Sequence, residues 1–330
     1  MKVAAYVVLF LAAAAAVAVY LDYRRDMDRA LERITVGSRI AQTRCGPIEY
    51  ASAGEGEPVL IVHGAGGGVD QGMDAARGLT AAGFRVIAMS RYGYLRTPLP
   101  TDASAAAQAD AHACLLDALG IERAAIIGAS AGAPSSMQFA LRHPERCSAL
   151  VLLVPAAFVP RPGGAPPLKT PDWTVFIFDT ALKSDFLFWA SIRLAAKTMI
   201  GSIIATPPEV VEKADADERA RVALMLVHLL PVTLRRVGLV NDAAVVQALP
   251  RYELERIRAP TLAISVADDR YGTYEAARYT AGHVPGARFI GYPTGGHVWV
   301  GHHEEIMGEI AAFLAPSASR QRAGASLKVN

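Results

Sequence analysis

The pentapeptide Gly128-Ala129-Ser130-Ala131-Gly132 places a serine between two glycines. A serine hydroxyl attacks carbonyl carbon only when a base takes its proton and donors hold the oxyanion that forms. Glycines two residues to either side suit a serine held on a strained strand-to-helix turn, with its hydroxyl projecting above a sheet. The apolar run Ala124 to Ile127 before it and the alanine-rich stretch through Arg142 after it supply that context. Ser130 is therefore the expected nucleophile, against the bland reading of a turn serine.

A second glycine-rich stretch, His63-Gly64-Ala65-Gly66-Gly67-Gly68, follows the apolar run ending at Val62. Its backbone can turn an amide inward, so Ala65 or Gly66 together with Ala131 is expected to form an oxyanion hole. The rival is a dinucleotide loop, because Gly64 and Gly66 begin G-x-G-x-x-G. Position 69 is Val, however, and the next strand ends at Ser90-Arg91 without an acidic residue for a ribose. No cofactor is expected. No His-Glu-x-x-His or Cys-x-x-Cys spacing occurs, so no catalytic metal is expected either.

These loops must hang from a scaffold, and the chain alternates strand-length apolar runs with alanine-rich helical stretches. Ser38 to Arg44 and Pro47 to Ser52 read as a hairpin turned at Cys45-Gly46. Pro58–Val62, Phe84–Met89, Ala124–Ile127, Ala149–Val154, Thr261–Val266 and Ala287–Tyr292 read as six further strands. Continuous Val/Ile/Leu runs imply a largely parallel eight-stranded α/β sheet covered on both faces. The alternation stops between about 156 and 255, which reads as a helical lid inserted into one domain. The expected divisions are an anchor and connector at 1–35, a core at 36–155 and 256–316, the lid at 156–255, and a loose tail at 317–330.

With the elbow, the glycine-rich loop and this order of elements in hand, the chain resembles a serine-type α/β-hydrolase from Ser38 to Leu314. The resemblance implies nucleophile, acid and histidine in that order, with the acid after the strand following the lid and the histidine after the last strand. Asp268-Asp269 and Gly295-Gly296-His297 stand there. The family's acid turn, glycine then two residues then aspartate, aligns Val266 with the glycine and Asp269 with the acid; Asp268 stays open. His297 in its Gly-Gly-His turn is preferred over His302 and His303. In relatives a histidine at the place of His63 commonly braces the oxyanion loop. Ser90 to Thr97 departs from the family's aspartate-arginine-glycine-glycine-serine loop, and Ser130 sets aside the hydrolases that use an aspartate nucleophile.

The implied activity is hydrolysis of an ester or related acyl bond through a Ser130 acyl-enzyme. Carbon–carbon bond hydrolases and cofactor-free haloperoxidase-like proteins share the same triad and form the alternative. A non-catalytic hydrolase-fold binding protein is the alternative from another class, and the complete triad counts against it. Seven aromatics between Ala156 and Ile200, namely Phe158, Trp173, Phe176, Phe178, Phe186, Phe188 and Trp189, point to a hydrophobic small-molecule substrate. The rival is that these rings pack the lid.

Composition limits the other classes. Lys plus Arg number 33 against 31 Asp plus Glu, a net charge of +2, which leaves no basic footprint for nucleic acid. Cys45, Cys114 and Cys147 are odd in number with no close pair, so they encode neither a disulfide framework nor a zinc site. Val3 to Leu21 carries no charge and is long enough to span a bilayer, against a signal-peptide apolar region of about 7–15 residues. An N-terminal membrane anchor is expected, with export after signal cleavage as the alternative. Arg24, Arg25, Arg29 and Arg33 after the span lean toward a cytoplasmic body. Oligomeric state is not encoded.

Overall fold

The computed structural model describes residues 2–75, 77–160 and 180–315. Helix α1 (Lys2–Thr35) leads into the hairpin β1 (Arg39–Thr43) and β2 (Gly46–Ala53). Then follow β3 (Glu57–Val62), α2 (Val69–Ala75), α3 (Arg77–Ala81), β4 (Phe84–Met89), α4 (Ala105–Ala118), β5 (Ala124–Ala129), α5 (Ala133–Arg142) and β6 (Cys147–Leu153). After an inserted helical segment the sheet resumes with β7 (Thr261–Val266), α11 (Thr273–His283), β8 (Arg288–Tyr292) and α12 (His303–Leu314). The strand order is β1-β2-β4-β3-β5-β6-β7-β8. β1 and β2 are antiparallel and every pair from β4 to β8 is parallel.

The continuous apolar runs follow from burial on two faces. Leu60, Val62, Ile126, Leu150 and Leu152 pack on one side of the sheet. Their neighbours Val59, Ile61, Ile127, Val151 and Leu153 pack on the other. Each buried Leu, Ile or Val is worth roughly 1.5–3 kcal/mol, and strand periodicity divides them between the two layers.

The insertion contains α6 (Asp185–Leu194), α7 (Ala196–Ser202), α8 (Pro208–Lys213), α9 (Ala216–Val227) and α10 (Arg236–Gln247). It has a core of its own, built from Phe188, Trp189, Ile192, Val222, Leu226, Leu230 and Val232. Trp173, Phe176 and Phe178 of the expected aromatic cluster, and the tail 317–330, lie outside the described residues. The other four rings make packing contacts. Phe158 meets Tyr279 edge-on at 5.8 Å, Phe188 and Trp189 are buried in the insertion core, and Phe186 stacks on Trp189.

Two expectations are corrected. The stretch from Asp22 to Thr35, expected as a charged connector, is the second half of α1, and its Met27 and Ala30 join the insertion core. Eight charges among fourteen residues make the composition read as linker, although Asp26 and Arg33 turn toward the body beside the apolar Met27 and Ala30. Cys45 and Cys114, 69 residues apart, form a disulfide with Cα atoms 6.1 Å apart. The hairpin turn folds against α4, a contact that sequence spacing cannot show. Cys147 is buried and free, and burial pushes its thiol up to about 12.

Candidate active site

Ser130 leaves β5 with φ 47° and opens a single 3₁₀ turn, Ser130–Gly132, that runs into α5. A positive φ on a residue with a Cβ is strained, and the close approach around it is what Gly132 permits. A Cβ there would stand 2.4 Å from the Val62 carbonyl oxygen and 2.6 Å from that of His63. Ser135 and Ser136 hydroxyls donate to the Gly132 carbonyl at 3.2 and 3.0 Å, and His112 Nε2 lies 3.0 Å from Ser135 Oγ. Burial holds His112 down at about 3, so it is neutral and serves this packing.

Asp269 and His297 arrive from the ends of β7 and β8. His297 Nδ1 lies 2.8 Å from Asp269 Oδ2, and its Nε2 lies 2.9 Å from Ser130 Oγ. A carboxylate only accepts, so Nδ1 carries the proton and Nε2 is left to accept from the serine. The same Asp269 oxygen accepts from Thr273 Oγ1, and its Oδ1 accepts from the Tyr271 amide at 2.8 Å. The Tyr271 ring stands edge-on to the imidazole at 4.8 Å.

Asp268 has a different task. Its Oδ1 accepts from the Gly296 amide at 2.7 Å and fixes the turn that presents His297. Gly296 has φ 64°, and a Cβ on it would lie 2.5 Å from Thr206 Cγ2, so this turn requires glycine. His302 and His303 are turned elsewhere: His302 Nε2 meets the Thr294 carbonyl at 3.0 Å, and His303 Nδ1 accepts from Trp299 Nε1 at 3.2 Å.

In the glycine-rich loop, the Gly66 amide donates to Tyr94 Oη at 3.3 Å and the Gly67 amide to the Gly64 carbonyl at 3.3 Å. Of the two expected donors, Gly66 is therefore engaged, whereas Ala65 is exposed. Ala131 follows the serine at the start of the turn, where a helical N–H lacks an internal partner.

A buried polar frame holds this loop. The Arg91 amide donates to His63 Nε2 at 3.0 Å, which leaves the Nδ1 proton for the Gly64 carbonyl at 2.7 Å. Burial, reinforced by the Arg91 charge, keeps His63 well below its ordinary range and neutral. Arg91 grips Asp242 of α10 with both terminal nitrogens, at 2.6 and 2.5 Å, and also donates to the His63 carbonyl. Burial would pull the Arg91 guanidinium down, but Asp242 outweighs it and raises it. Tyr94 Oη donates to the same Asp242 at 2.5 Å. Arg235 donates to the Gly67 carbonyl at 2.5 Å and to Asp70 Oδ2 at 2.7 Å. The loop from Ser90 is fastened below by buried Glu49, which accepts from Ser90 Oγ at 2.8 Å and Arg96 Nε at 2.6 Å.

The sequence does not single out Asp70, Tyr94, Arg235 or Asp242. The unusual Ser90-to-Thr97 loop was a signal for Arg91 and Tyr94, but nothing marked their partners in the insertion. Among the described residues no group of three or more His, Cys, Asp or Glu side chains could hold a metal ion.

The profile of the alpha/beta hydrolase fold family matches residues 57–300, which encloses the elbow, the acid turn and the histidine turn. The chain belongs to that family. An alpha/beta hydrolase fold protein from Nakamurella multipartita is 28% identical, with a TM-score of 0.68 over 84% of this chain and 98% of that one. A 2-hydroxy-6-oxononadienedioate/2-hydroxy-6-oxononatrienedioate hydrolase of Paraburkholderia xenovorans (strain LB400) is 36% identical over 191 residues, 49% of this chain and 66% of that protein. A 2-hydroxy-6-oxo-6-phenylhexa-2,4-dienoate hydrolase of Comamonas testosteroni is 34% identical over 125 residues, 35% of this chain and 44% of the relative. This α/β-hydrolase thus spans less than two thirds of the length of either curated relative.

Proposed function

We propose that the chain is a serine-type hydrolase that cleaves a carbon–carbon bond beside a ketone, in a dienoic acid like those named for its relatives. The observation that carries the serine chemistry is the unbroken Ser130–His297–Asp269 relay at 2.9 and 2.8 Å. The relatives' names favour the carbon–carbon alternative over the carboxylic-ester substrate expected first from the sequence.

In this reading Ser130 Oγ adds to the ketone carbon while His297 Nε2 takes its proton, and Asp269 holds the imidazole's tautomer and stabilises its charge. The oxyanion faces the amides of Ala65 and Ala131, with Gly66 keeping the loop in shape through Tyr94. The dienol has by then taken its 2-oxo form, its hydroxyl proton having moved to the carbon beside the ketone, so collapse expels that carbon with its electron pair spread into the conjugated 2-oxo group, and the His297 proton passes to the fragment. Water, deprotonated by His297, then releases the acyl group from Ser130 as a carboxylic acid. The whole sequence adds one water across one bond.

The insertion acts as a lid. It packs on the loops at the strands' carboxyl ends, where Gly66 lies against Leu229 and Asp242 holds Arg91. The amino-terminal half of α1 is a membrane anchor: its apolar window has a mean hydropathy of 2.4 and is 0% buried. The Cys45–Cys114 disulfide favours an oxidising compartment for the body, against the cytoplasmic side to which the arginine count leans.

Purified full-length chain is assayed on 2-hydroxy-6-oxo-6-phenylhexa-2,4-dienoate by loss of the dienoate absorbance, beside p-nitrophenyl esters. Turnover of the dienoate that exceeds ester turnover and vanishes in Ser130→Ala supports the reading. Ester turnover with an untouched dienoate overturns it in favour of an esterase.

A further inference from the structure

We infer that α6 lies in the membrane interface and that the insertion is the face the protein sets against a lipid bilayer. This rests on the membrane-anchor reading of α1. That helix is continuous from Lys2 to Thr35, so the direction of its apolar half is carried rigidly into the half that touches the body.

The contacts begin two residues after the apolar run ends at Leu21. The Tyr23 ring meets Phe186 at 5.2 Å and Trp189 at 5.6 Å, both edge-on. Asp26 accepts from Trp189 Nε1 at 2.8 Å and from Arg193 at 2.5 Å. From Tyr23 to Asp26 the backbone advances about 4.5 Å along α1, whereas from Phe186 to Arg193 it advances about 10 Å along α6. α6 therefore runs more across α1 than along it. With α1 upright in the bilayer, α6 lies near the membrane plane, just beyond the end of the apolar span.

Its sides are sorted to match. Phe188, Trp189 and Ile192 face the insertion core. Leu187 and Leu194, seven residues apart and hence on one face, are 46% and 87% exposed, and Phe186 is 41% exposed. Two leucines and a phenylalanine left open on one short helix are costly in water and favourable at the headgroup–acyl boundary.

The occupant is the acyl region of a zwitterionic bilayer, because the charges nearby are already matched. Asp22 pairs with Arg25, Asp28 with Arg24, and Asp26 with both Arg29 and Arg193. No free row of cations is left among them to select anionic headgroups, so insertion of apolar side chains carries the contact.

The test uses the full chain in phosphatidylcholine vesicles, with single cysteines carrying bimane at Leu187→Cys, Leu194→Cys, Phe10→Cys and, just before the amino end of the central strand β5, Glu122→Cys. Cys45 and Cys114 are bonded and Cys147 is buried, so none competes for label. Lipids brominated near the top of the acyl chain should quench positions 187 and 194 roughly threefold or more above position 122, and deeper bromines should quench position 10. Quenching at position 10 with none at 187 and 194 leaves the anchor standing and overturns the interfacial α6. Absence of quenching at position 10 overturns the anchor and this inference with it. Blue-shifted emission at 187 and 194 that bromine does not touch marks a protein partner, a second copy included, and also overturns it.

Discussion

Arg33 Nε donates to Asp70 Oδ2 at 3.0 Å, tying the end of α1 to the first turn of α2 beside the glycine-rich loop. The same oxygen accepts from Arg235 of the insertion, so one carboxylate joins three parts of the chain. Burial alone would push Asp70 up, but the Arg235 and Arg33 guanidiniums outweigh it and hold it down at about 2. Asp70→Asn should cost roughly 3–5 kcal/mol, because it leaves buried Arg235 without a counter-charge. The native carboxyl ionises below its unfolded value, so its stabilisation of roughly 2–3 kcal/mol is present above about pH 4 and lost as pH falls through about 2. The gap in Tm between wild type and Asp70→Asn should therefore narrow over that window. A gap that stays constant from pH 6 to pH 2 contradicts the ionised junction.

Ser130→Ala should abolish covalent labelling by a fluorophosphonate while leaving Tm within a few degrees of wild type. Only the hydroxyl at 2.9 Å from His297 is removed, and the positive φ at this position is kept. Intact-mass measurement reads the adduct. Labelling of the alanine variant at the original rate would move the nucleophile elsewhere.

Asp269→Asn should lower kcat about 10⁴-fold, since an amide at that place favours the wrong imidazole tautomer. Asp268→Asn keeps an oxygen that can accept from the Gly296 amide and should cost far less, with a change in Tm of a few degrees at most. Steady-state rates of the two purified variants decide between the neighbouring carboxylates; equal losses would mean that Asp268 shares the work.

A chain beginning at Asp22 should remain folded and active once freed from the membrane, whereas one beginning at Ile34 should aggregate. The first keeps Met27, Ala30 and Arg33; the second uncovers Phe188 and Trp189 and leaves Asp70 one guanidinium short. Size-exclusion profiles of the two chains give the answer, and a monodisperse active protein starting at Ile34 would show that α1 is dispensable to the body.

The sheet was legible because six of its strands are apolar runs of the right length between turn signals and the first two flank the Cys45-Gly46 turn, and all eight occur where those segments stand. The triad was legible because each member sits in a local turn whose composition reports its geometry: Gly-x-Ser-x-Gly, Asp-Asp after a strand, Gly-Gly-His after the last. That the Gly66 amide is engaged was not, since it depends on a hydroxyl 28 residues away at Tyr94. Asp242 and Arg235 were invisible for the same reason. A buried ion pair is a relation between distant segments, and a lone aspartate on a helix carries no mark of the arginine it will meet. The hidden apolar side of α1 escaped because Met27, Ala30 and Ile34 are too sparse among eight charges to announce a packed helix.

The two guanidinium–carboxylate clasps between core and insertion, Arg91 with Asp242 and Arg235 with Asp70, constrain how molecules come and go. Swinging the insertion away as a rigid flap would part both clasps at once. Pieces without such a clasp, such as α7, which has no buried residue, can shift while the clasps stay shut. For the lid proposed above, this arrangement means breathing at the rim, a narrow doorway instead of a hinge.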